Sequence, residues 1–115
     1  MLTLTLFALP SALAGCRTPI VDATIVNRGP EIHLLEFDYP YASFGADSLA
    51  PGGRYRYEFA IQGSGPLTFQ FSDVRGHSHV SKGPQVAKGQ QGTLTLTVDD
   101  RSQVTWSQQL SGPGQ

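Results

Sequence analysis

At 115 residues the chain is long enough for one small domain whose core needs no disulfides. Its net charge of −1 excludes the basic face that nucleic-acid binding requires, and its single cysteine excludes a disulfide scaffold. Only 15% of residues are charged, while there are 13 glycines and 8 prolines; with the threonines, valines and aromatics this is a β composition.

Residues 1–15 carry no charged side chain. An apolar run from Leu2 to Leu9 meets Pro10 and then the small residues Ser11, Ala12, Ala14 and Gly15. That is the pattern of a secretory signal, and it is shorter than the ~20 apolar residues a membrane span needs. A buried strand is the other reading, because Leu2, Leu4 and Leu6 alternate with Thr3 and Thr5. The Pro-Ser-Ala-Leu-Ala-Gly run that follows favours the signal. Only the α-amino group of Met1 supplies the positive charge that such signals begin with.

Leu13-Ala14-Gly15-Cys16 resembles the lipobox of bacterial lipoproteins. The resemblance implies cleavage between Gly15 and Cys16 and a diacylglyceryl thioether on the Cys16 sulfur, commonly joined by an amide-linked acyl chain such as palmitate. The expected organisation is a signal peptide over 1–15, a lipid-anchored tether over 16–19, a β domain over 20–110 and a disordered tail over 111–115. Ala12-Leu13-Ala14 also offers an ordinary signal-peptidase site, which would release a soluble domain with an unpaired thiol. Lipidation accounts for both the single cysteine and its position. The implied location is a bacterial cell membrane or outer membrane, facing the periplasm or exterior. In the proteobacterial sorting scheme Arg17 favours the outer membrane. Two or three acyl chains make a stable anchor, and a tether of ~10–14 Å would hold the domain against the membrane.

Beyond the tether, apolar side chains recur with period two. Strands are expected over 20–26, 32–39, 54–62, 67–71, 93–98 and 104–110, with a short edge strand over 77–81. The apolar phase slips between Leu34 and Leu35, which predicts a bulge there. Residues 41–53 read as a long irregular segment. Gly63-Ser64-Gly65-Pro66 reads as a hairpin connection, and Gly83-Pro84, 89–92 and 99–102 read as turns. Trp106 falls on the buried face of the last strand. Six or seven short antiparallel strands in about 100 residues predict an all-β sandwich, with a small barrel as the alternative.

Val26-Asn27-Arg28-Gly29, Leu49-Ala50-Pro51-Gly52, Tyr57-Glu58-Phe59 and Gly65 ahead of Phe69 and Phe71 resemble bacterial Ig-like domains of the CARDB and transthyretin-like type. Over residues 20–73 that resemblance implies an Ig-like sandwich of the cell surface.

Two places invite chemistry. His77 and His79, two apart on an extended segment, could share copper or zinc, with His33 approaching from another strand and Asp73 near in sequence. Two histidines are half a zinc site, so a solvated loop is the plainer reading. Tyr39, Tyr41 and Phe44 at the mouth of the long loop could stack on a glycan or form a protein-binding patch, or else cap the sandwich. Ser64 lies in a strand-to-strand turn and not on a nucleophile elbow. Glu36/Asp38 and Asp99/Asp100 read as polar face and turn. The expectation is therefore a lipid-anchored envelope protein with a binding or structural role, no catalysis and no cofactor beyond its lipid. Its partners would be the membrane and an envelope protein or glycan. A periplasmic metal-binding protein is the alternative.

Overall fold

The computed structural model describes residues 18–113; the signal, Cys16 and Arg17 lie outside the described residues. Eight strands make two four-stranded sheets: β1 (Val21–Asn27), β2 (Ile32–Tyr39), β3 (Ala42–Leu49), β4 (Arg54–Phe59), β5 (Gly65–Ser72), β6 (Ser78–Val86), β7 (Gln91–Val98) and β8 (Val104–Ser111). One sheet runs β4-β1-β7-β8 and the other β3-β2-β5-β6, and there is no helix among the described residues. The fold is the expected β-sandwich, with eight strands in place of six or seven. One pairing departs from the antiparallel expectation: β1 lies parallel to β7, from Val21↔Gly92 to Asn27↔Val98.

Alternation places Val21, Ala23 and Ile25 of β1, Leu67, Phe69 and Phe71 of β5, and Leu94, Leu96 and Val98 of β7 in the space between the sheets. On the flank where edge strands β3 and β4 meet, Phe44 stacks on Tyr57 and Phe37, with centroids 4.2 and 4.7 Å apart. The opposite flank is closed by Trp106, whose Nε1 donates to Ser81 Oγ at 2.8 Å. Its ring lies on Gly83, where a Cβ would come within 2.5 Å of it.

The bulge in β2 is where the phase slip put it. His33 pairs Ser72 and Glu36 pairs Gln70, so Leu34 and Leu35 together face one residue of β5, and Leu34 has φ 53°. β3 stays in step with β2 across this defect, so its inward residues are Phe44, Ala46 and Leu49 and not a period-two set. This is why residues 42–49 read as irregular: β3 carries an alternation broken by its neighbour.

Further expectations are corrected. Gly63-Ser64-Gly65-Pro66 is no hairpin, because the chain there crosses from the β1 sheet to the β2 sheet. β4 stops at Phe59, whose partner Val21 is the first residue of β1, and Ile61 turns into the core. Nor is Gly83-Pro84 a turn. Pro66 pairs Gln85 while Thr68 pairs Lys82, so the dipeptide is a bulge within edge strand β6, a place where a proline without N–H is tolerated. At the other end of the chain, Ser111 still pairs with Gln91, so the last strand runs into the segment expected to be a tail.

Asn27 is the one buried polar residue among those described. Its Nδ2 donates to the carbonyls of Pro30 (2.8 Å), Leu49 (3.0 Å) and Ala50 (3.3 Å), and its Oδ1 accepts from Gly29 N–H (3.0 Å). Its backbone bonds both glycines of Pro51-Gly52-Gly53. The Asn27-Arg28-Gly29 and Leu49-Ala50-Pro51-Gly52 motifs are thus two halves of one joint.

Candidate functional site

The loops β1–β2, β5–β6 and β7–β8 gather at one pole of the sandwich. Between them they form a cleft of about 320 Å³ lined by Pro30, Glu31, Asp73, Arg75, His77, His79, Asp99 and Arg101, among others. Two of its walls are the same five-residue loop built twice. In Asp73-Val74-Arg75-Gly76-His77, Asp73 Oδ1 accepts from the N–H groups of Arg75 (2.9 Å) and His77 (3.0 Å). In Asp99-Asp100-Arg101-Ser102-Gln103, Asp99 Oδ1 accepts from Arg101 (2.8 Å) and Gln103 (2.9 Å). The backbone bonds match as well, and the fourth residue of each loop has positive φ, 86° at Gly76 and 63° at Ser102. An aspartate that captures its own loop amides fixes this geometry. Each loop therefore presents an exposed arginine, Arg75 or Arg101, at the cleft.

His77 and His79 do meet, and what they meet is Asp73. His79 Nε2 lies 2.8 Å from Asp73 Oδ2, and His77 Nδ1 lies 3.8 Å from the same oxygen. The His79 contact, then the His77 and Arg75 amides, hold the Asp73 carboxyl down at about 2. The same kind of amide bonding, from Gln103 and Arg101, lowers Asp99. The His79 ring stacks on Phe71, 5.1 Å between centroids. Both imidazoles thus turn to one carboxylate oxygen, and among the described residues no three His, Cys, Asp or Glu side chains are arranged to share a metal ion. His33 cannot join them. It pairs with Ser72 on the outer face of its sheet, whereas His79 pairs with inward-facing Phe71.

Tyr39, Tyr41 and Phe44 do not form one surface. Phe44 is core, and Tyr39 packs on Phe59 with centroids 4.2 Å apart. Tyr41 alone projects, at the opposite pole, beside a second cleft lined by Asp38, Pro40, Ser64 and Pro66. Next to it on the outer face of β2, Glu36 accepts from Gln70 Nε2 at 3.2 Å. Burial first, then the hydrogen bond and charge of Glu36, push the Asp38 carboxyl up to about 6.

Arg75 and Arg101 were not among the residues that sequence reasoning singled out, and Asp99 was read as turn chemistry alone. The signal was the repeated Asp-x-Arg followed by Gly or Ser, at matching spacing in two hairpins. The direction of β1 sets the separation of the two poles. The strand climbs ~20 Å from Val21 to Asn27, and Asn27 stands at the three-loop pole. The cleft therefore lies at the end of the domain remote from Val21, where β1 begins.

No protein-family model matches the chain, and no curated protein matches it significantly. A solved NMR structure of a protein from Eubacterium rectale is similar in fold, with TM-score 0.55 and 8% identity, covering 84% of this chain and 93% of that one. That likeness concerns the fold alone.

Proposed function

We propose that this is a lipid-anchored protein of a bacterial envelope, a non-catalytic β-sandwich that carries a binding cleft on the pole turned away from its membrane. The observation behind this reading is the relation of two ends. Cys16, in its lipobox-like setting, lies five residues ahead of Val21, where β1 begins, and the three-loop cleft lies where β1 ends. The short tether then acts as a base and the sandwich as a stalk.

Two features support binding over catalysis. Among the described residues neither cleft histidine is hydrogen-bonded to a serine or threonine hydroxyl, so no nucleophile is paired with a base. The cleft walls are also preset by the two aspartate-captured loops, which lowers the ordering cost of binding. The partner would be an envelope protein or glycan reached from the periplasm or exterior.

Substituting Cys16→Ala in the full chain tests the anchor. Wild type should fractionate with membranes and incorporate labelled palmitate, and the variant should do neither. Wild-type protein that stays in membranes without taking up lipid would overturn the reading.

A further inference from the structure

The turn between β2 and β3 is built in an unfavourable way. Tyr39 pairs with Ala42, so Pro40 and Tyr41 are its two central residues, and Tyr41 has φ 77°. Proline followed by a residue of positive φ is a type II turn, in which glycine or asparagine is the ordinary occupant of the second place. A bulky side chain there is strained, and such strain clusters where a side chain has work to do. The tyrosine is not held there by burial, since it is 86% exposed. One edge of its ring lies on Gly63, where a Cβ would come within 2.4 Å of the ring. Gly63 thus leaves room for that edge of the ring against the loop.

This turn shares its pole with the start of β1. Ile20 O accepts from Gly92 N–H, and Ile61 O accepts from Gly89 N–H, joining the Ile20, Gly63 and Gly89 segments into one end of the sandwich. Ile20 is itself 39% exposed there, and Pro40 and Pro66 flank the tyrosine. Arg75 and Arg101 stand on the other pole.

We propose that the Pro40–Tyr41 turn is a membrane-contacting element, which seats the Tyr41 ring at head-group level in the bilayer that holds the Cys16 lipid, with Ile20 beside it. The proposal rests on the lipid-anchor reading. Ile20 lies four residues after Cys16 in sequence, a span of at most ~14 Å. That length brings this pole, and not the three-loop pole, within reach of the head groups. A tyrosine suits the place because its ring is apolar and its hydroxyl seeks water. With acyl chains supplying retention, the aromatic contact sets the tilt of the domain and keeps the cleft pointed outward.

The test uses the full lipidated chain in phosphatidylcholine/phosphatidylglycerol vesicles with brominated acyl chains. In a Trp106→Phe background, Tyr41→Trp places a lone fluorophore at the turn, and Asp100→Trp places one at the far pole. The expected result is blue-shifted emission from the indole at the turn, with bromolipid quenching several-fold that of the indole at the far pole. Equal quenching at both poles, in protein that floats with vesicles and carries lipid, overturns this proposal and leaves the anchor standing. Protein that neither floats nor carries lipid overturns the anchor first. A turn indole shielded from acrylamide in native membranes, yet unquenched by bromolipid, assigns the turn to a protein partner and also overturns it. Amide exchange of the unsubstituted chain, with and without vesicles, avoids any folding defect of the variants. Ala42 and its neighbours should exchange more slowly on vesicles, and unchanged rates would count against the contact.

Discussion

The side-chain amide of Asn27 donates to the carbonyl of Leu49 at 3.0 Å, joining the end of β1 in one sheet to the end of β3 in the other. With Pro30 and Ala50 sharing the same nitrogen, a single buried side chain ties the β1–β2 turn to the end of β3. Asn27→Ala takes this side-chain partner from the Pro30 and Leu49 carbonyls and the Gly29 amide, while the Ala50 carbonyl keeps the Gly53 N–H. A loss of about 2–4 kcal/mol is expected. Asn27→Asp, nearly isosteric, should be no better, because a carboxylate turns an acceptor towards three carbonyl oxygens. Urea unfolding of the three proteins measures this; a midpoint unchanged in Asn27→Asp would contradict the donor role of Nδ2.

The Trp106–Gly83 contact yields a double-mutant cycle. Gly83→Ala forces a methyl against the indole and should cost about 1–3 kcal/mol. Trp106→Phe loses the bond to Ser81 and some packing, at about 1–2 kcal/mol. Together they should cost less than their sum, since the smaller ring makes room for the methyl. Strict additivity in thermal or urea unfolding would place the indole elsewhere.

Tyr41→Gly relieves a positive φ and should stabilise the fold by about 0.5–1 kcal/mol, after subtracting the extra freedom of glycine in the unfolded chain and the lost contact with Gly63. For a domain of this size that is a rise in Tm of several degrees. A variant more stable than wild type and less firmly seated on vesicles would separate the two demands on this position.

The Asp38 carboxyl, raised to about 6, gives a stability term of definite sign. The folded state holds its proton more tightly than the unfolded state does. The contribution is therefore complete below about pH 4 and is lost as pH climbs through 6. Asp38→Asn should flatten that part of the profile and be the more stable protein at pH 7. Urea midpoints at pH 4, 5, 6 and 7 decide it; parallel curves for the two proteins would remove Glu36 and burial as the cause.

Strands whose side chains alternate on their own account were legible: β5 and β7 read directly from Leu67, Phe69, Phe71 and from Leu94, Leu96, Val98. The β2 bulge was legible too, since two adjacent leucines cannot both face inward on a regular strand. What could not be read was the effect of one strand on another. β3 follows the slip of β2, and its Phe44 and Leu49 fall out of period only because Leu34 and Leu35 do. Gly83-Pro84 has the chemistry of a turn and becomes a bulge because β5 continues beside it. The histidine pair was visible in the sequence, but its meeting with Asp73 depends on a loop that only the hairpin closes. Arg75 and Arg101 are brought to one cleft by sheet order, which no local pattern records.

The parallel ladder of β1 and β7 also fixes a sequence of events. β1 is the first of the eight described strands in chain order, yet its parallel partner β7 comes from the last quarter of the sequence. It cannot be enclosed on both edges until nearly the whole domain is present. Closure of this sheet thus waits for β7, and contacts so distant along the chain make folding slow. During that interval the apolar face of β1 stays open, and refolding rates of circular permutants that bring β1 and β7 close in sequence would show how much of the delay this one pairing causes.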